Sequence, residues 1–355
     1  MRLILTVVFL ILGLLSSGFG VAAEEPPKPA QLVVSTWGFN AELLYKNIAD
    51  PFKEAYGIEI VFDFGNNSDR LARLIANKDN PVVDVVGFAP NYAVMAMREG
   101  VLQPINVDNV PNIAQIVEWA RDPLGDWYGV GYTLQVMKIA YRTDKIDPPV
   151  TSWRDFWRPE VSGYITLPEM NTTYGPAVLF SIARAWGGSL DNLEVGWQKL
   201  EELVKSGALL TTYRRSSEAI SLFEQGEVWL APMPSFAWPS LQATGLPVAW
   251  VRPCSDYWEG LIASLNTLSV VKGTKNSYWA EKFIDFWLSK DTQLRMALDL
   301  VDGPANLQAL EELPTDIKAR FGLDEDLTSA VFYDPAFVVD HLDEWLTRWN
   351  ELIAR

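Results

Sequence analysis

Three side chains stand where short apolar runs give way to turns: Trp37 after 32–35, Asn67 after 58–64, and Tyr92 after 82–86. In an open α/β sheet, ligands bind outside the carboxyl ends of the strands. Residues that follow successive strand ends can therefore converge on one cleft. An aromatic face beside amides suits capture of a small cation, a sugar or a planar organic molecule. That is binding chemistry. Residues for bond-breaking chemistry are scarce. The only histidine, His341, sits inside a terminal amphipathic run and reads as a packing or surface residue. The only cysteine, Cys254, lies beside Pro253 with no histidine or metal-ligand partner near it, and reads as structural. No nucleophile elbow, phosphate loop or dinucleotide fingerprint occurs. Carboxylate clusters such as Glu201-Glu202 and Asp324-Glu325-Asp326 read as solvated faces. No catalytic residue, metal or cofactor is assigned. A carboxylate-dependent periplasmic hydrolase stays a remote alternative.

The elements that must position these residues alternate in type. Strand-like runs at 32–35, 58–64 and 82–86 are interleaved with helical spacing at 41–56, 68–76 and 91–98. Leu44, Ile48, Phe52 and Ala55 share one helical face, Gly57 and Gly100 act as stops, and Pro51 is expected to kink or split the first helix. Asn67 or Ser68 is the candidate N-cap of the second. This order builds a mainly parallel sheet covered by helices. A second set follows, with strands at 136–141, 164–167, 209–213, 227–231 and 248–251 and helices at 177–186, 193–204, 217–225 and 236–243. A strand at 267–271, helices at 278–288 and 292–300, and an amphipathic helix at 338–354 close the chain. Two α/β bodies fit this pattern better than one long sheet.

Compartment and partners follow from composition. Arg2, the apolar run 3–15 and Val21-Ala22-Ala23 read as a secretory signal peptide cut after Ala23. The cleavage point lacks the cysteine of a lipoprotein, and one thiol makes no internal disulfide. Periplasm is the expected compartment, and 24–30 reads as a disordered Pro-rich leader. Net charge is -16, from 45 acidic and 29 basic residues. Such a surface repels nucleic acid and anionic headgroups and tolerates a cationic ligand. Fifteen tryptophans supply aromatic faces, though most must serve packing.

An ordered series of segments carries a family resemblance. Trp37-Gly38-Phe39, ADPFKEAYGIEI from Ala49, DVVGFAPNYAVMAMREGVLQPI from Asp84, TSWRDFWRPEVSGYI from Thr151, FEQGEVWLAPM from Phe223 and GPANLQAL from Gly303 together resemble the spermidine/putrescine-type periplasmic solute-binding proteins of ABC importers. The resemblance spans nearly all of the mature chain. It implies the two-lobed type II periplasmic-binding fold, α/β throughout, with two hinge crossings and a ligand cleft between lobes. It divides the chain into lobe one at 31–134 and 267–355 and lobe two at 135–266. In that family ligand ammonium groups are held by aromatic faces and carboxylates from both lobes, since a buried ammonium needs such pairing. The matching positions here are Trp37 and the Asn91-Tyr92 pair in lobe one; in lobe two the family's acidic pair is reduced to Glu169, and its tryptophan position falls near Pro234, with Phe236 and Trp238 close by. Asn266 stands at a hinge position where the family uses aspartate, Asp302 stands where it tends to an aromatic, and Gln135 lies on the presumed hinge strand. The implied role is to capture a small amine-containing or polyamine-like solute, without chemistry, and present it to the membrane permease in a closed form. A monomer is expected, with no membrane insertion. The thinned acidic set leaves room for an opine, an aminophosphonate, a thiamine-like cation or an amino-acid derivative, and a sensor or chemoreceptor is an alternative partner.

Overall fold

The apolar runs pair into two separate sheets. A computed structural model describes residues 25–38, 41–253, 261–299, 301–323 and 333–354. The strands are β1 (Gln31–Thr36), β2 (Glu59–Phe64), β3 (Val85–Phe88), β4 (Leu102–Gln103), β5 (Val130–Gly131), β6 (Thr133–Arg142), β7 (Ile165–Pro168), β8 (Leu209–Tyr213), β9 (Leu230–Pro234), β10 (Val248–Val251), β11 (Ile262–Ser264), β12 (Thr267–Val271) and β13 (Gly303–Pro304). The first sheet runs β2-β1-β3-β12-β4, with β5 also on β12; the second runs β10-β6-β9-β7-β8, with β11 and β13 on β6. β1 is parallel to both β2 and β3, as the β-α-β-α-β grammar requires. β12 joins antiparallel to β3.

Each sheet is covered on both faces. In the first body Leu32, Val34, Ile48, Phe52, Phe283 and Trp287 form one apolar layer, while Val86, Phe88, Leu71, Leu74 and Ala93 form another. In the second body Ile139, Ile165, Leu167, Phe156 and Trp197 lie on one side, with Phe223, Ala231, Met233 and Leu241 on the other. Two closed cores leave a seam between them.

The chain crosses that seam first at Tyr132, between β5 and β6, and again at Leu265-Asn266, between β11 and β12. The crossings are bonded to each other. Tyr132 N–H donates to Asn266 O at 2.9 Å, and Asn266 N–H donates to Thr133 Oγ1 at 3.0 Å. β13 returns to pair with Thr133 and Leu134. Its glycine is required, because a Cβ on Gly303 would lie 2.5 Å from Leu134 O.

Several local expectations are corrected. The 24–30 leader is held where it is described: Trp279 Nε1–H donates to the Pro26 and Pro27 carbonyls, and Lys28 Nζ donates to Tyr56 O at 3.2 Å. An indole donor and an ammonium give that segment partners which composition alone does not reveal. The first helix is built of Ala41–Leu44, a π-helical turn Tyr45–Ala49, and Asp50–Tyr56. The backbone stays helical through Ala49 and Asp50, and the π-helical turn directly ahead of Pro51 marks the interruption that the proline was expected to cause. The N-cap of the Asn67–Ala76 helix is Asn66, which accepts from Asp69 N–H at 2.8 Å. The expected signal peptide 1–23 and Cys254 lie outside the described residues.

The largest difference concerns the terminal helix, Pro335–Ile353. The family resemblance assigns 267–355 wholly to lobe one. Yet Val338, Trp345, Trp349 and Leu352 are buried in the core of the second body, and Arg348 pairs with Glu194 there at 2.7 Å. Phe321 and Leu323 still pack in the first core. The chain therefore passes between the bodies a third time.

Candidate functional site

A cavity of about 330 Å³ opens between the two bodies. Pro90, Asn91, Trp119 and Pro123 supply its first-body wall, Thr173 and the start of the terminal helix supply the other, and Ala263-Ser264-Leu265 at the second crossing form its floor. The Pro90–Arg98 helix begins directly after β3. Its first residues therefore project over a strand end, where ligands of α/β sheets bind.

Asn91 is the most informative lining residue. It is buried, and its Oδ1 has no hydrogen-bond partner among the described residues. Buried acceptors are nearly always satisfied, so an orphan facing a cavity calls for a donor from a ligand. Tyr333 closes the opposite side: its hydroxyl donates to Thr173 O at 2.9 Å, and burial pushes its pKa up. Asp334 brings a carboxylate, with Oδ1 accepting from Ala336 N–H at 2.8 Å as the helix cap. The cavity thus offers aromatic surface, an orphan amide oxygen and one carboxylate. Among the described residues no group of His, Cys, Asp and Glu is arranged to hold a metal ion.

None of the eight residues expected from the sequence lines this cavity; Tyr92 and Asn266 are chain neighbours of lining residues, and Gln135 pairs with one. Tyr92, next to Asn91, turns away into the apolar cluster with Leu71 and Leu74, where burial and Asp69 raise its pKa. Asn67 Oδ1 accepts from Ala89 N–H at 3.3 Å and from Arg70 Nη2–H at 3.1 Å, so it braces the turn that leads to Pro90. Gln135 is buried, accepts from Tyr174 O–H at 2.8 Å and pairs in register with Ser264. Asn266, beside Leu265, serves the hinge through its backbone, accepting from Tyr132 N–H and donating to Thr133 Oγ1. Trp37 packs over Gly87, with the Arg70 guanidinium 4.4 Å from its ring centroid.

The remaining three fall elsewhere. Glu169 is paired with Arg214 at 2.7 Å. Trp238 is buried in the second core, stacked on Trp250 at 5.6 Å between centroids. Asp302 lines a separate small recess with Tyr132, Trp287, Gln293 and Met296. It keeps some surface as a residue, yet enough protein surrounds its carboxyl that burial pushes its pKa up to about 7. Strand-end position marks the neighbourhood of a site, while helix phase decides which neighbour faces it. Asn91 was within reach of that reasoning. Trp119, Tyr333 and Asp334 carried no sequence signal, because they enter through a loop and through the third passage.

His341 is confirmed as a packing residue, with Nδ1 2.8 Å from Phe337 O and its ring stacked on Trp345.

Comparison with known proteins bears on this geometry. Residues 47–321 match the family model described as bacterial extracellular solute-binding protein. The chain is 27% identical over 291 residues to "Spermidine/putrescine-binding periplasmic protein 1" of Haemophilus influenzae, covering 79% of this chain and 77% of that one. It is 25% identical over 362 residues to the "Gamma-aminobutyric acid-binding protein" of Pseudomonas aeruginosa, covering 98% and 97%. Among solved structures, an ABC transporter protein from Clostridium perfringens superposes with a TM-score of 0.80 at 30% identity, over 91% of this chain and 99% of that one.

Proposed function

Because the chain belongs to the bacterial extracellular solute-binding protein family, we propose that it is the solute-capturing component of an ABC importer, exported to the periplasm, where it binds a small amine-bearing solute without chemistry. The observation that carries this reading is the interlobe cavity with the buried, unpartnered Oδ1 of Asn91. A ligand N–H placed there would satisfy the orphan, with the Trp119 and Tyr333 rings and the Asp334 carboxylate around it. The names of relatives that bind polyamines and gamma-aminobutyric acid support an amine as the common element.

The lobes we propose are 31–134 with 267–323, and 135–266 with the terminal helix, hinged at Tyr132 and Leu265-Asn266. A solute contacting both shifts the equilibrium toward the closed form by its differential affinity, and the closed faces then meet the permease as a monomer. Thermal-shift screening of the mature chain against diamines, triamines, ω-amino acids and opines tests the reading, since a ligand of the native state raises the melting temperature by mass action. No shift with any amine-bearing member would overturn it.

A further inference from the structure

The Pro90–Arg98 helix starts at the cavity with its end uncapped. Its N-cap is Ala89, whose methyl group accepts no hydrogen bond, and Pro90 opens the first turn without an N–H. The next two N–H groups, of Asn91 and Tyr92, come before the first helical bond, Ala93 N–H to Ala89 O at 3.0 Å. Neither has a partner among the described residues. Asn67 Oδ1 accepts from Ala89 N–H at 3.3 Å and so fixes the turn behind these donors. The helix is nine residues long and places the positive end of its dipole at the same spot. A helix end of this kind favours the oxygens of a carboxylate or a phosphate.

The Asn91 side chain is a second pointer to a ligand. It is 6% exposed, it lines the cavity, and its Oδ1 is an acceptor without a partner. Two donors and one acceptor therefore stand within two consecutive residues. An anion alone would leave Oδ1 unsatisfied, and an amine alone would leave both N–H groups unsatisfied. A carboxylate and an ammonium carried on one carbon satisfy all three. In an ω-amino acid the two charges lie several bonds apart, and a diamine brings only positive charge to the positive end of the helix. On the other wall the Asp334 carboxylate adds attraction for the ammonium. Trp119, Pro123, Leu265 and Val338 offer apolar surface to the rest of the solute.

We propose that the start of this helix recognises an α-amino-acid headgroup: the carboxylate accepts from the Asn91 and Tyr92 N–H groups, and the α-ammonium donates to Asn91 Oδ1. The inference rests on the interlobe cavity being the solute site, and it names the class of amine taken there. Ala89 is the residue that leaves the donors open. Its backbone is extended, at φ -64° and ψ 149°, the conformation from which a serine or aspartate N-cap bonds the first-turn N–H groups itself.

The test is calorimetric titration with α-amino acids and their decarboxylation products, pairs that differ only in the α-carboxylate. The pairs are L-leucine with 3-methylbutylamine, L-phenylalanine with 2-phenylethylamine, L-ornithine with 1,4-diaminobutane, and L-glutamate with 4-aminobutyrate. In at least one pair wild type is expected to bind the amino acid about tenfold or more tightly than its product, the scale of hydrogen bonds to a charged group. Ala89→Asp, which supplies a capping carboxylate of its own, should bring that ratio to one or below. Should Ala89→Asp not melt cooperatively, Ala89→Ser provides the same readout with a smaller, neutral cap, and the ratio should fall by roughly several-fold. A product that equals or exceeds its amino acid in every pair that binds, or an unchanged ratio in the capped variant, overturns the headgroup assignment and leaves the solute-binding reading standing. Binding of no probe also overturns the assignment, and the thermal-shift panel then decides whether another amine occupies the cavity.

Discussion

At the scale of single residues, the site is defined by an unsatisfied amide. Removing the orphan acceptor with Asn91→Ala should weaken solute binding by about tenfold, near the ~1.5 kcal/mol of a hydrogen bond to a charged group. The apo melting temperature should be unchanged or slightly raised, because no protein partner is lost. Titration calorimetry and a thermal melt check both halves. Asp302 supplies a pH prediction. Its carboxyl has a folded pKa of about 7 against an ordinary 3.8, with burial as the cause. The folded state therefore holds a proton more tightly than the unfolded chain. The associated stability is fully present below pH 3.8 and is lost as pH rises through about 7. Asp302→Asn should therefore melt higher than wild type at pH 8, by about 3 °C or more, with the gap closing toward pH 5. Parallel melts across that range measure it, and a gap independent of pH would show that the carboxyl is hydrated in the native state.

At the scale of elements, the terminal helix decides more than its position in the chain suggests. Its apolar stripe of Val338, Leu342, Trp345, Trp349 and Leu352 is buried, and its first turn lines the cavity. The indole of Trp345 meets Phe180 edge-on at 5.8 Å in the second core. Trp345→Ala should cost about 3–5 kcal/mol, as large aromatic truncations in cores do, and should weaken solute binding by disturbing Tyr333 and Asp334. Denaturant melts followed by titration separate the two effects. The amphipathic pattern of this helix was legible, since spacing of 3.6 needs only sequence. Which body it would pack against was not, because both bodies offer apolar faces and the choice rests on the chain passing the seam a third time. The same limit explains Tyr92 and Asn91. A strand end locates the turn, while the rotation of the following helix, set by Ala93 and Ala96 packing on the sheet, points the neighbour into the cavity.

At the scale of the whole molecule, two cores and three passages define a hinged body. The terminal helix of the second body reaches the Pro90–Arg98 helix of the first through an ion pair, Arg98 to Asp340 at 2.6 Å. Both side chains are largely exposed, so Arg98→Ala should alter stability by under 1 kcal/mol. Small-angle scattering should show the solute lowering the radius of gyration in wild type and in this variant alike. A solute effect abolished by Arg98→Ala would make that pair an essential latch.

The sequence by itself determined the local grammar: alternating strands and helices, two bodies, and the strand ends beside which the cavity opens. Hydrophobic period and turn chemistry are properties of neighbours along the chain, so they need no tertiary knowledge. Only the tertiary structure decided which side chains face the cavity and where the terminal helix belongs. Those depend on helix phase and on contacts between segments far apart in the chain, and packing free energy settles them only once both cores have formed.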